Sequence, residues 1–184
     1  FGLLEGVIDY MVPGVHDFDY GQDNLNNLTG KSKFKVLSAN IFNKDAKPFT
    51  GVDYVIKDID GIKVGIFGLT MRITEILQSA RNIEGLNFGP VEDAARAAVM
   101  AMRGQGVDFI IALTHQGIEE DKKLARAVDG INLIVGGLSH TVLTNGFLVF
   151  DTWIAQAGYR GEHFGKITVR YDKEKKRIIS ISPE

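Results

Sequence analysis

Two continuous apolar runs with a helical stretch between them constrain this chain more than any other feature. Residues 107–113 (VDFIIAL) and 131–135 (INLIV) are apolar almost throughout, and residues 119–128 have helical character. Runs of this kind suit parallel strands covered on both faces and joined by a crossover helix, which predicts an α/β fold. Each run ends in a short polar loop, Thr114-His115-Gln116-Gly117 after the first and Gly136-Gly137-Leu138-Ser139-His140 after the second. In open α/β sheets ligands bind beyond the carboxyl ends of the strands, so these loops are where chemistry is expected.

The flanking pattern adds mixed and antiparallel pieces. Residues 35–41 read as a buried strand, and residues 54–69 as two strands joined at Asp60-Gly61, a dipeptide suited to a two-residue type I′ hairpin. Pro90 is expected at the first position of a helix whose apolar stripe is Val91, Ala94, Ala95, Ala98, Val99 and Met102. Ile73, Ile76, Leu77 and Ala80 fit one face of a shorter helix. At the amino end Leu3, Leu4, Val7, Ile8 and Met11 recur at helical spacing until Pro13-Gly14, a short helix or strand end feeding a loop. Residues 147–157 are β-rich, and residues 166–171 and 177–182 form a closing hairpin whose charged tip, residues 173–177, is a solvated turn rather than a phosphate-binding patch.

With no repeat, low-complexity segment or linker, residues 1–184 read as a single domain. A chain of 184 residues buries roughly 70% of its unfolded surface, enough for a core without cross-links. The absence of Cys removes thiolate chemistry and zinc–cysteine sites and leaves the redox compartment open. A net charge of −2 argues against nucleic acid as the main partner. No apolar run reaches the ~20 residues of a membrane helix, and no basic and apolar leader opens the chain.

Three of the four histidines, His16, His115 and His140, lie in loops beside glycines, two of them directly after apolar runs. The loop around the first, Gly14-Val15-His16-Asp17-Phe18-Asp19-Tyr20-Gly21, also carries two carboxylates. Imidazoles and carboxylates gathered at strand ends suit metal ligation or proton transfer. The fourth, His163, reads as a surface residue.

At these loops the chain resembles a known family. Gly14-Val15-His16-Asp17-Phe18-Asp19-Tyr20-Gly21, Leu37-Ser38-Ala39-Asn40-Ile41, Ala112-Leu113-Thr114-His115-Gln116-Gly117 and Val135-Gly136-Gly137-Leu138-Ser139-His140-Thr141 are similar, in the same order, to signatures of the metallophosphatase (calcineurin-like phosphoesterase) domain of bacterial 5′-nucleotidases and 2′,3′-cyclic-nucleotide phosphodiesterases. The resemblance implies a four-layer α/β/β/α sandwich. It also implies two divalent metals, Mn, Zn, Mg or Ca, that clamp a phosphate and activate a water. Carried over by position, His115 and His140 match metal ligands, and His16 with Asp19 match the catalytic His–Asp pair.

The chain departs from the family pattern at informative places. Val15 stands where the family has a ligating Asn, and Leu138 where it has a ligating His, and neither aliphatic side chain can hold a cation. Asp17 replaces a usual Glu and keeps its charge. The family's Asp-x-His strand and its Gly-Asp motif have no counterpart before Gly14, so the first strand of the central sheet is expected to be lacking. Either rearranged pairing within residues 1–12 or a second copy of the chain would cover the gap. The family's C-terminal substrate-specificity domain has no counterpart either.

The resemblance therefore implies a metal-dependent hydrolase of nucleotide phosphate esters, impaired here by lost ligands, with metal binding weak or absent. Missing donors could come from a complementing N-terminal segment or a homodimer partner. The alternative is a non-catalytic pseudoenzyme serving as a binding or scaffold module. A plain doubly wound nucleotide binder has little support, because neither Gly65-Ile66-Phe67-Gly68 nor Gly136-Gly137 opens a helix as a dinucleotide fingerprint. The family is commonly periplasmic or at the cell surface, and this chain shows no signal peptide.

Overall fold

The computed structural model describes residues 1–72 and 74–184, with the side chains of Glu75 and Ile76 left aside. The elements run β1 (Tyr10–Met11), α1 (Gln22–Lys31), β2 (Lys35–Val36), β3 (Ile41–Phe42), β4 (Tyr54–Ile59), β5 (Ile62–Thr70), α2 (Thr74–Leu77), β6 (Asn87–Phe88), α3 (Val91–Gly104), β7 (Phe109–His115), α4 (Ile118–Ala127), β8 (Leu133–Val135), β9 (Phe147–Val149), β10 (Thr152–Ala155), β11 (Ile167–Asp172) and β12 (Arg177–Pro183). Short 3-10 turns cover Gly2–Leu4, Val15–Phe18 and Ala80–Ile83.

The central sheet has six strands in the order β4-β5-β7-β8-β10-β9. Its four middle strands are parallel, pairing Ile66 with Ile111, Ile111 with Leu133 and Ile134 with Ile154, while β4 and β9 close the edges antiparallel. The expected hairpin is present: Ile59 pairs with Ile62, and Asp60 (φ 53°) and Gly61 (φ 82°) both take the left-handed conformation that a type I′ turn demands.

Helices α3 and α4 cover one face of this sheet. The expected stripe of α3 buries Ala95, Ala98, Val99 and Met102 against Phe67, Ile110, Ala112 and Ile134. Complete burial of Met102 is worth about 1.5–3 kcal/mol. On the other face Phe109, Leu133 and Ala155 pack against Ile167, Ile178 and Ile181 of the β11–β12 hairpin, a second β layer. A smaller core of Phe18, Leu25, Ile41, Phe49, Ile83 and Phe88 joins α1 to the β3–β6 pair.

Several boundaries differ from the sequence reading. Pro90 is the residue before α3 rather than its first member, because its ψ of 127° is extended. Residues 35–41 do not form one strand: β2 pairs with β1 and Ile41 with Phe88, while the residues between them bond elsewhere, Ser38 N to Val52 O and Ala39 N to Gly68 O. Residues 147–157 break at Phe150, which adopts φ 49°, into β9 and β10. The helix read through Ile73 and Ile76 is observed as the single turn Thr74–Leu77; Ile73 lies outside the described residues. At the amino end helical spacing yields only a 3-10 turn, followed by a parallel pairing of Tyr10 with Lys35 and Met11 with Val36 in a separate two-stranded sheet. Among the described residues, no helix is long and apolar enough to cross a membrane.

Candidate functional site

The site forms where the carboxyl ends of β5, β7 and β8 meet the Val15–Phe18 turn. Asn40, wholly buried, donates from Nδ2 to Thr70 O (2.7 Å) and Gly89 O (3.2 Å) and accepts from Thr70 N (2.9 Å). Thr70 Oγ1 in turn donates to Pro13 O at 2.7 Å, and Met71 N donates to His115 O at 3.0 Å. These bonds tie the His16 loop to the ends of β5 and β7.

Gly14 makes the close approach possible. A Cβ there would sit 2.8–3.0 Å from the His115 ring, so only glycine lets the loop lie on that imidazole. Asp17 folds back so that its Oδ2 accepts from Gly14 N at 2.7 Å, which secures the turn. His115 Nε2 is buried with no hydrogen-bond partner. Burial pushes this imidazole below its ordinary pKa; Asp17 opposes the shift, and His16 and His140 add to it.

His16 Nδ1 and Asp19 Oδ2 are 3.0 Å apart, so the pair expected from sequence is formed, with the His16 side chain 89% exposed. Gln78 fastens this pair from beneath: its Nε2 donates to Asp19 Oδ1 (2.8 Å) and to Val15 O (2.7 Å). The bond from Gln78 is the main reason the Asp19 carboxyl titrates below its ordinary value, with His16 adding to it against some desolvation. Asn82 Nδ2 donates to Asp19 O at 3.1 Å.

Beneath the β7 and β8 loops lies a polar floor. Asp121, on α4 and fully buried, accepts through Oδ1 from Thr114 Oγ1 (2.7 Å) and Gln116 Nε2 (2.9 Å), while its Oδ2 has no partner. Burial is the first cause that pushes its pKa up to about 6, against the lowering effect of those two bonds. Gly136 passes directly over the carboxylate, where any Cβ would collide with Oδ2.

The 136–140 loop is held on several sides. Gly136 N donates to Ala155 O (2.8 Å) and Gly117 N to Gly137 O (3.1 Å). Ser139 Oγ accepts from Ile118 N (3.1 Å) and donates to Gln156 Oε1 (3.0 Å). Leu138 (φ 75°) and His140 (φ 56°) are both left-handed. That conformation is costly for residues with a Cβ, and it persists because the surrounding bonds impose it. The His140 ring stacks on Tyr159, with centroids 4.6 Å apart and planes 11° from parallel.

The structure thus brings His16, Asp19, His115 and His140 to one end of the sheet and leaves His163 exposed, as read from sequence. Val15 is buried and Leu138 half-buried on the two loops that close over His115. Sequence reasoning missed Gln78, Asp121 and Tyr159. Asp121 had a legible signal, since Ile118, Asp121, Leu124 and Ala125 share one helix face and a carboxylate on a buried face needs an explanation. Gln78 and Tyr159 had none, because their partners lie far off in the chain. Among the described residues, no three His, Asp or Glu side chains gather closely enough to hold a metal.

This arrangement of parallel strand ends and loops is the fold of a metallophosphatase. A 5′-nucleotidase precursor from Thermus thermophilus superposes with a TM-score of 0.83 at 29% identity, over 97% of this chain and 38% of its own. No family model matches the chain. Similarity to curated proteins is closer in sequence: 32% identity to the trifunctional nucleotide phosphoesterase protein YfkN of Bacillus subtilis over 90% of this chain, and 36% to the human 5′-nucleotidase over 94%. The chain belongs to the 5′-nucleotidase family of calcineurin-like phosphoesterases, which implies the use of divalent metals. It spans 14% of the length of the first relative and 33% of the second.

Proposed function

We propose that this domain takes the phosphate end of a nucleotide-like ester at its three histidine-bearing loops, and that Val15 and Leu138 leave it impaired as a metal-dependent hydrolase. One observation carries the reading: the two loops that close over His115 through Gly14 and Gly137 carry aliphatic residues at Val15 and Leu138, while His115 Nε2 stays buried without a partner. A divalent ion bound here would polarise a phosphoryl oxygen and supply a nucleophilic water. Such ions need four or more nitrogen and oxygen donors. His115 and His140 are imidazoles, Asp17 is engaged with Gly14 N, and Val15 and Leu138 offer nothing. These residues do not make a two-metal site by themselves.

What the chain's own groups support is recognition. Imidazole N–H groups at His16, His115 and His140 suit phosphate oxygens, and Asp19, fixed by Gln78, engages His16 through Nδ1 and leaves its Nε2 uncommitted. Full hydrolysis would need donors from a preceding segment or from a second copy of the chain. A purely non-catalytic scaffold is the alternative, favoured by the intact loop geometry around Leu138.

The test is metal stoichiometry by mass spectrometry after dialysis against Mn²⁺ and then metal-free buffer, with AMP binding and hydrolysis measured in parallel. AMP binding with little bound metal and slow or absent turnover is expected, and the double change Val15→Asn with Leu138→His should raise both retention of metal and turnover. Two tightly held ions in the unaltered chain would overturn the impairment. Absence of AMP binding in every form would overturn the recognition.

A further inference from the structure

Outside the pair and the floor already described, the best-defined contact at the site is the stack of His140 on Tyr159. Four of the residues around it are left-handed: His140 (φ 56°), Gly158 (φ 73°), Arg160 (φ 56°) and Gly161 (φ 71°). An irregular segment between β10 and β11 thus bends sharply, and the product of the bend is a phenol ring laid flat on an imidazole. Non-glycine residues in this conformation cost stability and survive where the surroundings impose them, so His140 and Arg160 mark a shape that is held rather than relaxed.

Both rings lie on the exposed side of the domain. Packing into the core therefore does not explain the stack. An exposed imidazole with free side-chain torsions would sample several rotamers, and a near-parallel aromatic neighbour removes most of them. The Arg160 guanidinium lies 5.1 Å from the centroid of the same ring, and no ion pair involving it is formed among the described residues.

We propose that Tyr159 is a positioning residue for His140: it holds the imidazole, by stacking and not through its hydroxyl, in the orientation from which His140 meets a phosphate oxygen of the ligand. This rests on the recognition role given above to His140. Tyr159 itself touches no reacting group. The stacking surface is what matters, so phenylalanine should serve as well as tyrosine, whereas alanine should not.

The experiment compares Tyr159→Ala, Tyr159→Phe and His140→Ala with the unaltered chain, by NMR of the His140 ring protons and by calorimetric titration with AMP. In the unaltered chain and Tyr159→Phe, the His140 ring protons should be shifted upfield by the neighbouring ring current, and in Tyr159→Ala that shift should vanish. AMP affinity should fall about 2- to 10-fold in Tyr159→Ala, the equilibrium worth of one aromatic contact, and stay near the unaltered value in Tyr159→Phe. Because Tyr159 is exposed, the remaining NMR spectrum should be unchanged and serves as the control for folding.

The proposal is overturned if the upfield shift is missing from the unaltered chain, or if Tyr159→Ala abolishes it without any loss of AMP affinity while His140→Ala does lose affinity. It is also overturned if Tyr159→Phe behaves like Tyr159→Ala. Failure of the recognition reading looks different: the ring-current shift is present, yet neither the unaltered chain nor any variant binds AMP. That outcome removes the ligand half of the proposal too and leaves Tyr159 a structural contact only.

Discussion

The loop carrying His16 and the loops after β7 and β8 lie against one another, yet their polar groups are held in different ways. The His16–Asp19 pair stands at the surface and is oriented from below by Gln78 and Asn82. The Thr114–Gln116–Asp121 set is sealed under Gly136, with both donors satisfied and one carboxylate oxygen left bare. Exposed polar groups can exchange a lost partner for water, and sealed ones cannot. The rim should therefore tolerate substitution in terms of stability, whereas the floor should not.

Asp121→Ala should show the largest effect. It strips the acceptor from two buried donors and leaves a void, for an expected loss of about 2–5 kcal/mol in urea unfolding at pH 5. If that loss is no larger than the effect of a rim substitution, the distinction between floor and rim is broken.

Asp121→Asn sharpens the same point through pH. The folded pKa of Asp121, about 6, lies above the ordinary carboxyl value of 3.8, so the folded state holds its proton more tightly. The stability gained from that proton is full below about pH 4 and is lost as pH rises through 6, by a total of about 3 kcal/mol. The Asn variant has no proton to lose, and its stability should vary less between pH 4 and 7. Urea titrations at unit pH steps check this, and parallel profiles for the two proteins would refute it.

Gly136→Ala should cost about 1–3 kcal/mol, because the added methyl meets a carboxylate already committed to Thr114 and Gln116. Pairing it with Asp121→Ala in a double-mutant cycle should recover part of the loss, since the colliding group is then gone.

Gln78→Ala should have the smallest effect on stability, within about 0.5 kcal/mol. Its signature lies elsewhere: the Asp19 carboxyl, now without its chief hydrogen-bond donor, should titrate closer to its ordinary value, as ¹³C NMR of the side chain would show. An unchanged Asp19 titration would mean that His16, and not Gln78, is what lowers it.

Much of this molecule is legible in its residues, and the legible parts share a cause. The parallel strands β7 and β8, the stripe of α3 and the Asp60-Gly61 turn rest on interactions only a few residues long, or on periodicity that states directly which face is buried. The His16–Asp19 pair is of the same kind, three residues apart on one turn. Residues 35–41 misled for the opposite reason. They are as apolar as a strand, yet Ser38 and Ala39 take partners at Val52 and Gly68, which a local pattern does not register.

Sequence by itself determined the α/β class, the placing of histidines at strand ends, and the aliphatic residues at 15 and 138, since these depend on side-chain type and near spacing. Only the tertiary structure decided that Gly14 lies on the His115 ring, that Gln78 orients Asp19 across 59 residues of chain, that Asp121 floors the β7 and β8 loops, and that Tyr159 stacks on His140. Each of these joins groups distant along the backbone. Their energies depend on separations of a few ångströms, which the packing of the whole domain sets and no local pattern encodes.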